Sequence, residues 1–107
     1  MTSLDDVNEQ LLAHNCVKSI FVEFDGQEMQ YNLVLVMADS ELLNSEEIKY
    51  FFYDVASLDI KKLGGGLTQF MHLKISKIDY GFDRAKYELT DEEGGGIYFT
   101  FLSMSKP

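Results

Sequence analysis

The sequence predicts an α+β domain that is mainly β: an antiparallel sheet of about six strands with one N-terminal helix packed on it. Three observations carry this prediction. Apolar residues recur at helical spacing over the first fourteen positions. From Val17 onward they alternate with period two, as on a half-buried strand. No helical stretch separates the alternating segments, so the crossovers that a parallel sheet needs are missing. A length of 107 residues suits one domain spanning 1–107.

Residues 3–14 read as the helix. Ser3 is a good N-cap, Asp5 and Asp6 complement the positive end of the dipole, and Leu4, Val7, Leu11 and Leu12 make one apolar face. Asn15 suits the position just past its end. Ile20, Val22 and Phe24 then alternate on one strand, and Met29, Tyr31, Leu33, Leu35 and Met37 on the next, with Asp25-Gly26 between them as a two-residue turn. Such a turn would pair Phe24 with Gln27, Val22 with Met29 and Ile20 with Tyr31. Residues 48–55 fit two patterns: Ile48, Phe51, Phe52 and Val55 a helix capped by Ser45, or Phe51, Tyr53 and Val55 a strand. Four consecutive aromatics favour the strand. Leu58, Ile60 and Leu63 alternate briefly before Gly64–Gly66.

Met71, Leu73 and Ile75 form a further strand with His72 and Lys74 on its outer face; the phase slips at Ile78, marking a bulge or the strand's end. Tyr80-Gly81-Phe82-Asp83 reads as a turn. Ala85, Tyr87 and Leu89 alternate next, then Ile97, Phe99 and Phe101 out to Met104, and these two strands should pair as a hairpin across the loop Thr90–Gly96.

Charge is the strongest global signal. Eighteen acids against nine bases give −9. All of that excess lies in residues 1–54, where eleven acids meet only Lys18 and Lys49. Phosphate backbones and anionic lipid headgroups select lysine and arginine, so neither nucleic acid nor membrane is an expected partner. A basic protein would be steered in by this field. No apolar run approaches the roughly 20 residues that cross a bilayer, the N-terminus lacks the basic start of a secretory signal, and one cysteine makes no internal disulfide. These features point to a cytoplasmic chain.

The chemistry-bearing residues reduce mostly to structural roles. Gly64–Gly66 lacks the lysine of a phosphate loop, and Gly94–Gly96 follows Asp91-Glu92-Glu93, which would repel phosphate; both read as loops. His14 and Cys16 are too few for a metal site, and a nucleophile pair would need an orienting third group. Asp79 with Asp83, and Asp91-Glu92-Glu93, lack calcium-loop spacing. No catalytic motif is present, so no enzyme activity, catalytic residue, metal or cofactor is expected.

What remains is a juxtaposition. The acidic stretch Asp39–Glu47 (DSELLNSEE), with charge −4, runs directly into Tyr50, Phe51, Phe52 and Tyr53. Aromatic anchors with a charged rim make a protein-binding patch, so Asp39, Glu41, Glu46, Glu47, Tyr50 and Tyr53 are the expected partner contacts.

A small acidic chain with one N-terminal helix, an antiparallel sheet and no catalytic set resembles the immunity proteins of bacterial toxin–immunity systems. The segment Tyr50–Gly66 (YFFYDVASLDIKKLGGG), followed by alternating strands to Phe101, is similar in style to short bacterial proteins grouped with them. The resemblance covers roughly the second half of the chain by pattern. It implies a domain that blocks a cognate toxin by setting acids against a basic active-site surface, and it transfers no specific residue. Two other readings stand beside it: a small-ligand domain with a pocket between sheet and helix, and a homodimer paired edge to edge through an uncharged strand such as Leu33–Met37.

Overall fold

The computed structural model describes residues 3–61, 63–78 and 85–106. These residues form one helix, α1 (Leu4–Ala13), and eight strands: β1 (Cys16–Asp25), β2 (Gln30–Ala38), β3 (Glu47–Tyr53), β4 (Ala56–Ile60), β5 (Leu73–Lys77), β6 (Tyr87–Asp91), β7 (Ile97–Phe101) and β8 (Ser103–Ser105). The mainly β, antiparallel character is as predicted. The strands do not share one sheet, however. They divide into two four-stranded sheets, ordered β1-β2-β3-β8 and β4-β7-β6-β5.

Alternation explains how one core fills the space between them. Leu33, Leu35 and Met37 of β2, with Ile48, Tyr50 and Phe52 of β3, face Leu73, Ile75, Leu89, Ile97, Phe99 and Phe101 from the second sheet. Phe52 is the keystone: its ring meets Phe99 at 5.0 Å and Phe101 at 4.8 Å, both edge to face. The expected strand from Ile97 to Met104 breaks at Leu102, whose N–H donates to Tyr53 O (3.0 Å), and the chain crosses there from one sheet to the other. Period-two patterning cannot reveal such a change of sheet.

Residues 48–53 lie in strand β3 as the strand reading expects, but on the opposite parity: Ile48, Tyr50 and Phe52 face inward while Phe51 and Tyr53 face outward with Lys49, and Val55 lies beyond the strand's end. The first hairpin forms, but in a different register. Phe24 pairs with Tyr31, Val22 with Leu33 and Ile20 with Leu35, so the loop is four residues, 26–29. Asp25 Oδ1 accepts from the N–H groups of Gln27 (3.0 Å) and Glu28 (3.2 Å), and Met29 takes a left-handed conformation (φ 54°). The shift preserves the faces while setting Val22 and Ile20 against the buried leucines. Strand β2 lies between β1 and β3, so Leu33–Met37 offers no edge for self-pairing. The Met71–Ile75 strand begins later, at Leu73, and ends at Lys77 just before Ile78. The turn expected at Tyr80–Asp83, with Asp79, lies outside the described residues.

Helix α1 is capped as expected, Asp6 N–H donating to Ser3 Oγ at 3.1 Å. It buries Val7 and Leu11 and lies along β5. Asn8 supplies both halves of a ladder contact there: its Oδ1 accepts from Ile75 N–H (2.8 Å) and its Nδ2 donates to Ile75 O (3.1 Å). The second glycine triplet is also structural. Asp91 is buried and its Oδ2 accepts from Gly96 N–H (3.0 Å). A β-carbon on Gly96 would stand 2.7 Å from the Phe70 ring.

Candidate partner-binding surface

The acidic segment forms an ordered loop between β2 and β3. At its base Asp39 N–H donates to Glu46 O (3.1 Å), and Glu46 N–H donates back to Asp39 Oδ1 (3.1 Å). Inside it, Leu42 N–H donates to Ser40 Oγ (3.3 Å) and Ser45 N–H to Leu42 O (3.1 Å). Two contacts tie the loop to the body. His14, at the end of α1, places Nε2 2.9 Å from Glu46 Oε1, while its Nδ1 lies 2.8 Å from Gln10 O. Lys18 Nζ reaches Glu41 O at 3.5 Å.

Held this way, the loop presents two leucines outward: Leu42 is 61% exposed and Leu43 fully so. Exposed leucines scattered singly mean little, but these two are adjacent on a hydrogen-bonded loop. Asp39, Glu41, Glu46 and Glu47, along the same segment, are all exposed. The sequence reasoning missed Leu42, Leu43 and the His14 hook. The available signal was a Leu-Leu pair in a polar run, belonging to no periodic face.

The two tyrosines do not join this group. Tyr50 is completely buried and its hydroxyl donates to Gln10 Oε1. A side chain with no exposed surface meets no partner, so Tyr50 leaves the expected contact set. Burial pushes its hydroxyl up from 10.0 to about 12 by desolvation. Tyr53 is half-buried on the outer face of β3, its hydroxyl 3.0 Å from Ser105 Oγ. Six steps along the strand separate it from Glu47, about 20 Å at the usual rise.

His14 and Cys16 make no nucleophile pair. Both imidazole nitrogens face Gln10 and Glu46, and the buried thiol donates to Asn15 Oδ1 (3.5 Å) and accepts from Gln69 Nε2 (3.6 Å). Among the described residues, no group of three or more His, Cys, Asp or Glu is placed to hold a metal ion, and no helix is long and apolar enough to cross a membrane. A cleft of about 640 Å³ opens between the start of α1 and β8, walled by Leu4, Val7, Tyr50, Tyr87, Phe101 and Met104 among others.

No family model, no curated protein and no solved structure matches the chain.

Proposed function

We propose that this chain is a non-catalytic protein-binding domain whose Asp39–Glu47 loop captures a basic protein. The observation that carries the reading is the exposed Leu42–Leu43 pair on a loop braced at Asp39, Glu46 and His14, with Asp39, Glu41, Glu46 and Glu47 exposed along the same segment. A braced loop loses little conformational entropy on binding. The leucines supply apolar area, and the acids supply steering and orientation. Neutralisation of a toxin domain, with the acids against a basic active-site surface, is the most concrete form of this function.

Glu46 has a structural duty through His14, so Glu41 and Glu47 are the better residues to test. A photo-crosslinker at position 43, used in cells, should trap one basic protein. Leu42→Ser with Leu43→Ser should abolish the adduct, and Glu41→Lys with Glu47→Lys should weaken it and flatten its salt dependence. An adduct equally strong in both variants, or no adduct at all, would refute the loop as the interface.

The cleft beside α1 favours a second reading, since its volume lies within the usual range for small-ligand sites, about 300–1,000 Å³. An apolar probe such as anilinonaphthalene sulfonate should then raise Tm, and Met104→Arg should remove the effect. No rise would eliminate this reading.

A further inference from the structure

We propose that β1 is a self-association edge: it pairs antiparallel with β1 of a second copy, joining the two β1-β2-β3-β8 sheets into one. The proposal does not rest on the acidic loop. It begins from how the edges of the two sheets are treated. The edge at β5 is answered by Asn8, whose amide occupies both Ile75 backbone groups. Strand β4 has its register broken between Ala56 and Asp59, where Ser57 takes a left-handed conformation (φ 58°). Strand β8 is three residues long. Short, broken or covered edges are how proteins prevent stray pairing.

Strand β1 has such protection only at its start, where its register with β2 shifts between Val17 and Ser19. Its first residues are covered, with Val17 N–H donating to Thr68 O (2.9 Å) and Cys16 bridged to Gln69. From Lys18 to Asp25 it is the outermost strand of its sheet. It is also apolar on both faces: Phe21 is 55% exposed, and Val22 and Phe24 on the opposite face are 41% and 47% exposed. Tyr31, its ring tilted 59° to that of Phe24 at 5.1 Å, extends the second patch, and Met29 in the adjoining loop is exposed as well.

The charge pattern selects a second copy, in the antiparallel sense. Lys18 stands at one end of the free edge, Glu23 and Asp25 at the other. Antiparallel self-pairing brings the basic end of each strand to the acidic end of its mate, whereas parallel pairing sets like charges together. Centring the two-fold axis on Phe21 sets the two Phe21 rings against each other on one face and Ile20 against Val22 on the other. Opposed residues then share a face, as an antiparallel ladder requires. Three half-exposed aromatics, Val22, Met29 and eight residues of backbone come to several hundred Å² per copy, near the lower end of specific interfaces. A reversible dimer is therefore expected rather than an obligate one.

The test is molar mass against concentration by light scattering, on the whole chain. The mass should rise toward twice 12.2 kDa through the micromolar range. Phe21→Lys puts like charges on the two-fold axis and should raise the dimer dissociation constant at least about 100-fold. Phe21 is exposed, so the variant should keep the wild-type circular dichroism spectrum and the Tm of the dilute protein. Ser19→Lys, which sets a lysine opposite Glu23 of the mate in this register, should tighten the dimer, and adding Glu23→Lys to it should weaken pairing again. A wild-type mass of 12.2 kDa at every concentration would overturn the proposal and leave the edge to a strand of another protein. A dimer indifferent to both Phe21→Lys and Ser19→Lys would place the contact elsewhere and overturn it equally.

Discussion

Replacing Asn8 with alanine should cost this fold stability through the edge of β5 that it covers. The Asn8 amide donates to Ile75 O and accepts from Ile75 N–H, at 3.1 and 2.8 Å, so one side chain stands in for a neighbouring strand. Alanine leaves both backbone groups without these partners at a partly buried site. Two net hydrogen bonds are worth about 1 kcal/mol each. Better helix propensity returns up to about 0.7 kcal/mol. The net loss is about 1–2 kcal/mol, equivalent to a fall in Tm of about 4–8 °C for a domain of this size. Urea unfolding should show the midpoint lowered with m unchanged, because the surface exposed on unfolding is the same. Hydrogen exchange localises the effect: the Ile75 amide should lose protection while that of Leu89, inside the sheet, changes only with global stability. Asn8→Asp separates the two bonds. It keeps the acceptor for Ile75 N–H but sets a carboxylate against Ile75 O, so stability should be lower than wild type at pH 7 and recover as the introduced carboxyl protonates. A loss below about 0.5 kcal/mol for Asn8→Ala, with Ile75 exchange unchanged, would refute the edge-covering role.

Three further outcomes follow from the same geometry. Gly96→Ala drives a β-carbon to 2.7 Å from the Phe70 ring and should destabilise by about 1–3 kcal/mol in thermal unfolding, while Gly65→Ala, with open space around it, should show only the smaller strain of its positive φ. Tyr50 is neutral in the fold with its hydroxyl raised to about 12, so its contribution is intact below pH 10 and lost as pH rises through 10 toward 12. The loss should reach about 2–3 kcal/mol, and its absence in Tyr50→Phe separates it from the other groups that titrate there. His14→Ala removes the link from α1 to Glu46 and should cost about 1 kcal/mol, with faster exchange at the Leu42–Glu46 amides than in wild type.

Where one local signal determined one local outcome, the sequence was legible. Ser3 and the apolar face of Val7 and Leu11 specify α1, and alternation specifies which face of β2, β6 and β7 is buried. The misses share a cause, because each was decided by something outside its own segment. Asp25-Gly26 signals a two-residue turn, yet the register follows from where Leu33 and Leu35 find a core, and Asp25 adapts by capping a longer loop. Tyr50 looked like an anchor because it sits beside acids, but its parity with Ile48 and Phe52 commits it to the interior. Period two assigns a residue to a face; it does not tell which of several sheets that face belongs to, so two sheets were read as one. The site was half legible. The exposure of the four acids follows from their charge, whereas Leu42 and Leu43 belong to no periodic face and stand exposed on a loop closed by bonds to Ser40 and Asp39.

The two proposed surfaces can be separated by salt alone. The acidic loop lies at the Cys16 end of the first sheet, since Ala38 pairs with Cys16 and Glu47 pairs with Ala38. In an antiparallel β1 dimer the two loops therefore point to opposite ends of the joined sheet, and each remains open to a basic protein. Each copy carries a charge of −9, so self-association works against long-range repulsion. The Debye length falls from about 10 Å at 0.1 M salt to about 3 Å at 1 M. Screening should accordingly tighten the dimer, whose energy lies in Phe21, Val22 and backbone pairing, and loosen the complex of the loop with its basic partner. One salt series on wild type and Phe21→Lys reads both slopes. A dimer that loosens with salt as steeply as the loop complex would place its energy in ion pairs rather than in Phe21 and Val22, and would leave the apolar edge without the role argued for it.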